Sequence, residues 1–200
     1  PTAGIALGSG TVTIDETADL QDSDVASSQA LTDLFAGVTV KSGDMLQYAV
    51  SNGGVVTPTG SAYGADQEGG TTVFSLAVNG NGSTTLTTTD DSAITIAKEG
   101  DLIVGRDSGG NAVFAVSINA STGVITVAQY ESITNPTAPN NYDETTSLDG
   151  YVNAVVTVTD GDGDVDTDSI AIGDKILFSD DGPTAGIALG SGTVTIDETA

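Results

Sequence analysis

The chain ends with the same residues with which it begins. Residues 1–18 and 183–200 both read PTAGIALGSGTVTIDETA, at an offset of 182 residues. Identity over such a run, at such a distance, is the mark of a tandem array of near-copies. The fold therefore has to be one that can follow itself along a chain. Residues 1–182 read as one tandem-repeat module, and 183–200 as the start of the next identical repeat. Neighbouring repeats in the same chain are then the first partners to expect, with the module otherwise monomeric in solution. Repetition this faithful also suits a task in which copy number matters more than any single site.

Within one period the dominant local signal is the strand. Thr11-Val12-Thr13-Ile14, Thr71 to Val78 and Ala93-Ile94-Thr95-Ile96 alternate apolar with polar residues. Asn111 to Ile118, Gly123 to Gln129, Val152 to Thr159 and Ser169 to Phe178 follow, all rich in Val, Ile and Thr and bounded by Gly, Asn, Asp and Ser. Only Ser27 to Ala36 places apolar residues (Ala30, Leu31, Leu34, Phe35) at helical spacing, which predicts one short helix of at most three turns. The expected fold is all-β, an antiparallel β-sandwich. Asn52-Gly53-Gly54 and Asn79-Gly80-Asn81-Gly82 look like hairpin tips. Apolar residues are only 38% of the chain, which one-sided strands tolerate better than a helical bundle would.

Charge narrows the function classes. There are 28 acidic residues against 4 basic ones (Lys41, Lys98, Arg106, Lys175), for a net charge of -24. Such self-repulsion disfavours a compact state unless something offsets it, and bound divalent cations would do so. With so few cationic side chains no nucleic-acid partner is expected. An anionic membrane surface would repel the chain, and no apolar run approaches the roughly 20 residues of a spanning helix. Cysteine, histidine and tryptophan are absent. Disulfides, thiolate or imidazole metal sites and Ser-His-Asp chemistry are thereby excluded.

The densest acidic cluster is Asp160-Gly161-Asp162-Gly163-Asp164-Val165-Asp166-Thr167-Asp168, between two strong strand signals. Five like charges so close repel unless a cation sits among them, and hard cations such as Ca2+ prefer oxygen ligands. The spacing is not that of an EF-hand: Val165 stands where that loop needs glycine, and no glutamate occupies its last position. Nor is there a glycine-rich nonapeptide run. Two further acidic groups flank the repeat boundary: Asp180-Asp181, and Asp15-Glu16 with Asp22 and Asp24. The last strand should run from the Asp160 loop to Asp180, which puts loop and linker at opposite ends of the module. In an array the loop of one module would face the linker of its predecessor. Several Ca2+ ions are expected, with Asp15, Glu16, Asp22, Asp24, Asp160, Asp162, Asp164, Asp166, Asp168, Asp180 and Asp181 as candidate ligands.

Three motifs carry a resemblance: Asp-Asp-Gly-Pro-Thr at 180–184, Val-Thr-Ile-Asp-Glu-Thr at 12–17, and Thr-Val-Thr-Asp-Gly-Asp-Gly-Asp at 157–164. With Gly100 to Arg106, Val113 to Val116 and Thr122 to Val127, they resemble the repeats of giant RTX adhesins, which Gram-negative bacteria export by type I secretion. The resemblance implies an Ig-like or cadherin-like sandwich, calcium at the junctions, an extracellular place at the cell surface, and the role of an extender that carries a distal ligand-binding tip in adhesion and biofilm formation. The period is long for such a module, so an inserted hairpin or small subdomain is expected near 52–92. A calcium-dependent module binding glycan or a surface is the alternative, and the threonine run Thr84 to Thr89 hints at ice. An enzyme would require a concave, aromatic-rich cleft, and aromatics are only 4%.

Overall fold

The computed structural model describes residues 1–16, 20–41, 46–135, 144–180 and 187–198. Along them the chain passes through β1 (Ile5–Leu7), β2 (Val12–Asp15), β3 (Asp24–Val25), the helix α1 (Gln29–Leu34), β4 (Gln47–Gly54), β5 (Val56–Pro58), β6 (Thr71–Val78) and β7 (Ser83–Thr87). It continues through β8 (Ala93–Glu99), β9 (Leu102–Arg106), β10 (Ala112–Ile118), β11 (Val124–Gln129), β12 (Thr145–Ser147), β13 (Val152–Thr159), β14 (Val165–Ala171), a 3-10 turn (Gly173–Lys175) and β15 (Ile176–Ser179).

The fold is an all-β sandwich. One layer is a seven-stranded antiparallel sheet in the order β3-β4-β11-β10-β9-β8-β7. Facing it are two three-stranded sheets, β14-β13-β6 and β12-β15-β2, with the short pair β1-β5 beside them. β13 shows why the sequence does this: Val152, Ala154, Val156 and Val158 are buried, while the residues between them are half-buried. That is the period of two of a strand with one face on a core. Phe74 and Leu76 of β6 join them, and Phe114 of β10 meets Phe178 of β15 across the layers with ring centroids 5.1 Å apart.

β10 is buried on both faces. A bulge between Ala112 and Phe114 turns Val113, Phe114 and Val116 to the main core and leaves Ala112 and Ala115 on the outer face. There Phe35, at the end of α1, covers the sheet and stacks on Tyr48 at 6.0 Å. The helix starts at Ser28, whose hydroxyl accepts from Leu31 N, as an N-cap should.

Three placements differ from the sequence reading. Asn52-Gly53-Gly54 is the end of β4 rather than a hairpin tip, and Asn79 to Gly82 carries the chain from β6 in one layer to β7 in the other. The stretch 52–92 holds β5, β6 and β7 and is no separate subdomain: β6 pairs along its whole length with β13, and β7 pairs with β8, beyond the stretch, at the far edge of the large sheet. The run Ser169 to Phe178 is broken at the 3-10 turn, because β14 pairs with β13 whereas β15 belongs to another sheet. Gly173 makes this break possible: a Cβ there would lie 1.8 Å from the carbonyl oxygen of Leu148.

The N-terminal run gives the module a direction. Ala3 N donates to Asp166 Oδ2 (2.8 Å) and Ile5 N to Asp168 Oδ2 (3.3 Å), so β1 travels beside β14. β2 then pairs with β15 in parallel, Val12 opposite Ile176 and Asp15 opposite Ser179. The pair departs from an otherwise antiparallel sandwich because its strands are the second and the last, joined by most of the domain rather than by a turn. The chain therefore comes in beside the 160–164 loop and leaves at Asp180. β1 and β2 carry the chain from the leading end to the trailing end.

Candidate metal site

The β13-β14 hairpin is closed by Thr159 opposite Val165, leaving Asp160 to Asp164 as its loop. Asp160 N donates to Asp164 O (3.0 Å), Gly163 N to Asp160 O (3.2 Å) and Asp164 N to Asp160 Oδ1 (2.9 Å). The loop is thus pinned by its own amides, and its three aspartates turn carboxylate oxygens toward one another. One oxygen from each of Asp160, Asp162 and Asp164 lies within 4.8 Å of the others. Asp160 is buried, the other two exposed.

A second acidic stretch backs the loop. Gly161 N donates to Asp66 O (2.8 Å), and a Cβ on Gly161 would sit 2.3 Å from Glu68 O, so only glycine allows this approach. Asp66, Glu68, Gly161 and Asp162 line one hollow. Sequence reasoning passed over Asp66 and Glu68; a close acidic pair in a glycine-rich stretch was the available signal.

The electrostatics are those of a crowded anionic site. A hydrogen bond between Asp162 and Asp160 pushes the Asp162 carboxyl up from its ordinary value and holds that of Asp160 down. The charges of Asp160, Asp164 and Asp66 raise Asp162 further. The ammonium of Pro1 lies 3.4 Å from Asp160 Oδ2. Three carboxylates that crowd one another in this way could hold a metal ion.

The other candidate ligands divide by location. Asp166 and Asp168 are strand residues of β14 whose carboxylates accept from Ala3 N and Ile5 N respectively; Asp168 also accepts from Ser169 N. Asp15, Glu16, Asp24 and Asp180 gather at the trailing end. Asp15 is buried at the end of β2, and Asp24 accepts from Asp15 N (3.2 Å) and Gln21 N (3.4 Å). Burial raises the Asp24 carboxyl, with smaller contributions from the charges of Asp15 and Asp22. Glu16 Oε1 accepts from Ile133 N (3.0 Å) and from Gln129 Nε2. Burial also raises Glu16, against those bonds, and the Asp180 charge adds to it. Asp22 is exposed, with a left-handed φ of 46° in its turn. Asp181 lies outside the described residues.

Residues 11–173 match the model of a protein family described as "Domain of unknown function (DUF5801)". The chain belongs to this family. No curated protein and no solved structure matches it. The part of the DUF5801 module that matches runs from β2 to the 3-10 turn and takes in both the Asp160 loop and the Asp15 to Asp24 segment; β1, β15 and Asp180 lie outside it.

Proposed function

We propose that the chain is a calcium-stabilised extender module of a long, repetitive adhesin, secreted to the bacterial surface, where tandem copies project a distal ligand-binding region for adhesion and biofilm formation. Its role is mechanical, and its partners are the repeats before and after it. What carries the reading is the polarity of the module, with an acidic loop at the leading end and further acids at the trailing end. Pro183, the counterpart of Pro1, follows Gly182 in a peptide bond and carries no charge. Inside an array, then, the ammonium beside Asp160 gives way to the Asp180-Asp181-Gly182 of the preceding repeat. That change removes a cation and adds acids to a site already holding three. Calcium suits such a joint because it accepts six to eight oxygens in irregular geometry, whereas magnesium demands a near-ideal octahedron. The ion would neutralise carboxylates that otherwise push neighbouring modules apart.

Small-angle scattering from a chain of two or more 182-residue periods tests this. The maximum dimension is expected to shrink on adding chelator, as joints loosen while modules stay folded. An unchanged dimension with folded modules refutes the rod mechanism and leaves calcium, if bound, as a stabiliser of single modules.

A further inference from the structure

Among the described residues, the buried side-chain atoms without a hydrogen-bond partner are Gln47 Oε1, Gln129 Oε1, Asn135 Oδ1 and both carboxylate oxygens of Glu144. All are acceptors, and bonds between their residues tie them to one place, the trailing end. Gln47 and Gln129 are direct cross-strand partners on β4 and β11. The Glu144 carbonyl accepts from Asp180 N (2.9 Å) and Asn135 Nδ2 (3.0 Å). Glu16 N donates to Ser179 O (3.2 Å), one residue before Asp180, and Glu16 Oε1 receives Gln129 Nε2. Glu144 is 8% exposed and Gln129 0%.

No hydrogen-bond donor meets these atoms. The amide nitrogen of Gln129 is committed to Glu16 and to Glu131 O (3.2 Å), and that of Asn135 to Glu144 O. Those bonds fix both amides, so it is their oxygens that are left over. Arg106 grips Glu99 through two nitrogens at 2.7 Å, and Lys175 lies 3.6 Å from Asp174, so neither is turned to these oxygens. A buried water would bring two hydrogens to five acceptors and no charge. A buried carboxylate with neither oxygen bonded is strongly unfavourable unless a charge meets it. Carboxylate and amide oxygens together are the ligand set that calcium takes.

We propose that the trailing end holds a divalent cation of its own, with Glu144 as the principal ligand, Glu16, Asn135 and Gln129 completing the set, and Asp180 and Gln47 beside it. The site is distinct from the Asp160 cluster, at the opposite end of the module, and rests on the calcium reading above only for the identity of the ion. It would fasten the β12-β15-β2 sheet, at the end that carries Glu144, Ser179 and Asp15, to the end of β11 and the segment at 135, which belong to the other layer. Sequence reasoning picked out Glu16 and Asp180 here but passed over Glu144, although Asp143-Glu144-Thr145 repeats the Asp15-Glu16-Thr17 pattern.

Calorimetric titration of the 200-residue chain with Ca2+ decides the matter, comparing the wild type with Glu144→Gln and with Asp162→Ala/Asp164→Ala. Glu144→Gln keeps the shape and removes the charge; it is expected to lose one ion per chain and to retain the loop site. Its melting temperature should fall below that of the wild type in calcium and match or exceed it in chelator, where an unpaired buried charge has been relieved. A residue with a merely structural role would lower both. An unchanged stoichiometry, or an equal fall in both conditions, overturns the proposal. If Asp162→Ala/Asp164→Ala alone loses an ion, the loop site stands and the trailing site falls. If Glu144→Gln alone loses one, the reverse holds. A wild type that binds no calcium overturns both.

Discussion

Replacing Ile14 by Ala and, separately, Ile196 by Ala makes the same change in the same local sequence, Thr-Val-Thr-Ile-Asp-Glu-Thr, at both places. Ile14 is 0% exposed, paired with Phe178 across the parallel β2-β15 ladder. Ile196 is 84% exposed and lies in no strand. The substitution removes three carbons, worth about 0.8 kcal/mol each in transfer free energy. The cavity left behind in a packed sandwich adds to this, bringing Ile14→Ala to about 3–4 kcal/mol. For a domain of this size that lowers the melting temperature by roughly 6–16 °C. Ile196→Ala should stay within about 0.5 kcal/mol, as exposed substitutions do. Differential scanning calorimetry of the two variants, with calcium and again with chelator, reads both shifts. Equal shifts would refute the reasoning, because they would mean that the second copy contributes to the same core as the first.

Asp162→Ala/Asp164→Ala should abolish the rise in melting temperature that millimolar calcium gives through the loop while leaving the melting temperature in chelator at or above the wild-type value, since no strand depends on either side chain; a fall in chelator would refute the loop's assignment as an add-on site. Linkage sets the scale: a site saturated at about 100 times its Kd stabilises by about 2.7 kcal/mol. Calcium affinity should weaken as pH falls through the raised pKa values of Asp162 and Glu16, above the ordinary 3.8 and 4.5, because the ion binds the deprotonated forms. For the same two groups the ion-free module has the opposite sign: their raised folded pKa values mean the folded state takes up these protons before the unfolded one does, so their repulsion and burial penalties are relieved as pH drops through that window. Titrations at pH 7 and pH 5, with melting curves in chelator alongside, check both signs.

Much of the fold was legible. β6 and β13 fall where their alternation placed them, and α1 lies inside Ser27 to Ala36 behind its Ser28 cap. These elements bury one face each, and one-face burial writes its period into the chain. β4 was missed because Gln47 to Gly54 ends in Ser-Asn-Gly-Gly, residues that favour turns in isolation but are held here against β11. The Asp160 loop was visible because its ligands are adjacent in sequence. The trailing group was half visible, since Glu144, Gln129 and Asn135 reach Glu16 and Asp180 only through the packing of separate strands.

The sequence by itself determined the repeat, the acidic surface, the strand periods and the polarity of the last hairpin, because each is a local or compositional property. It could not determine what the repeated segment does. Ile5, Val12 and Ile14 are buried, while their counterparts Ile187, Val194 and Ile196 are exposed. The first copy is a pair of strands because β5 and β15 stand beside it with open hydrogen bonds and an apolar groove. The second copy is no strand at all, since a short apolar stretch gains a strand's hydrogen bonds and burial only from neighbours that the tertiary structure supplies.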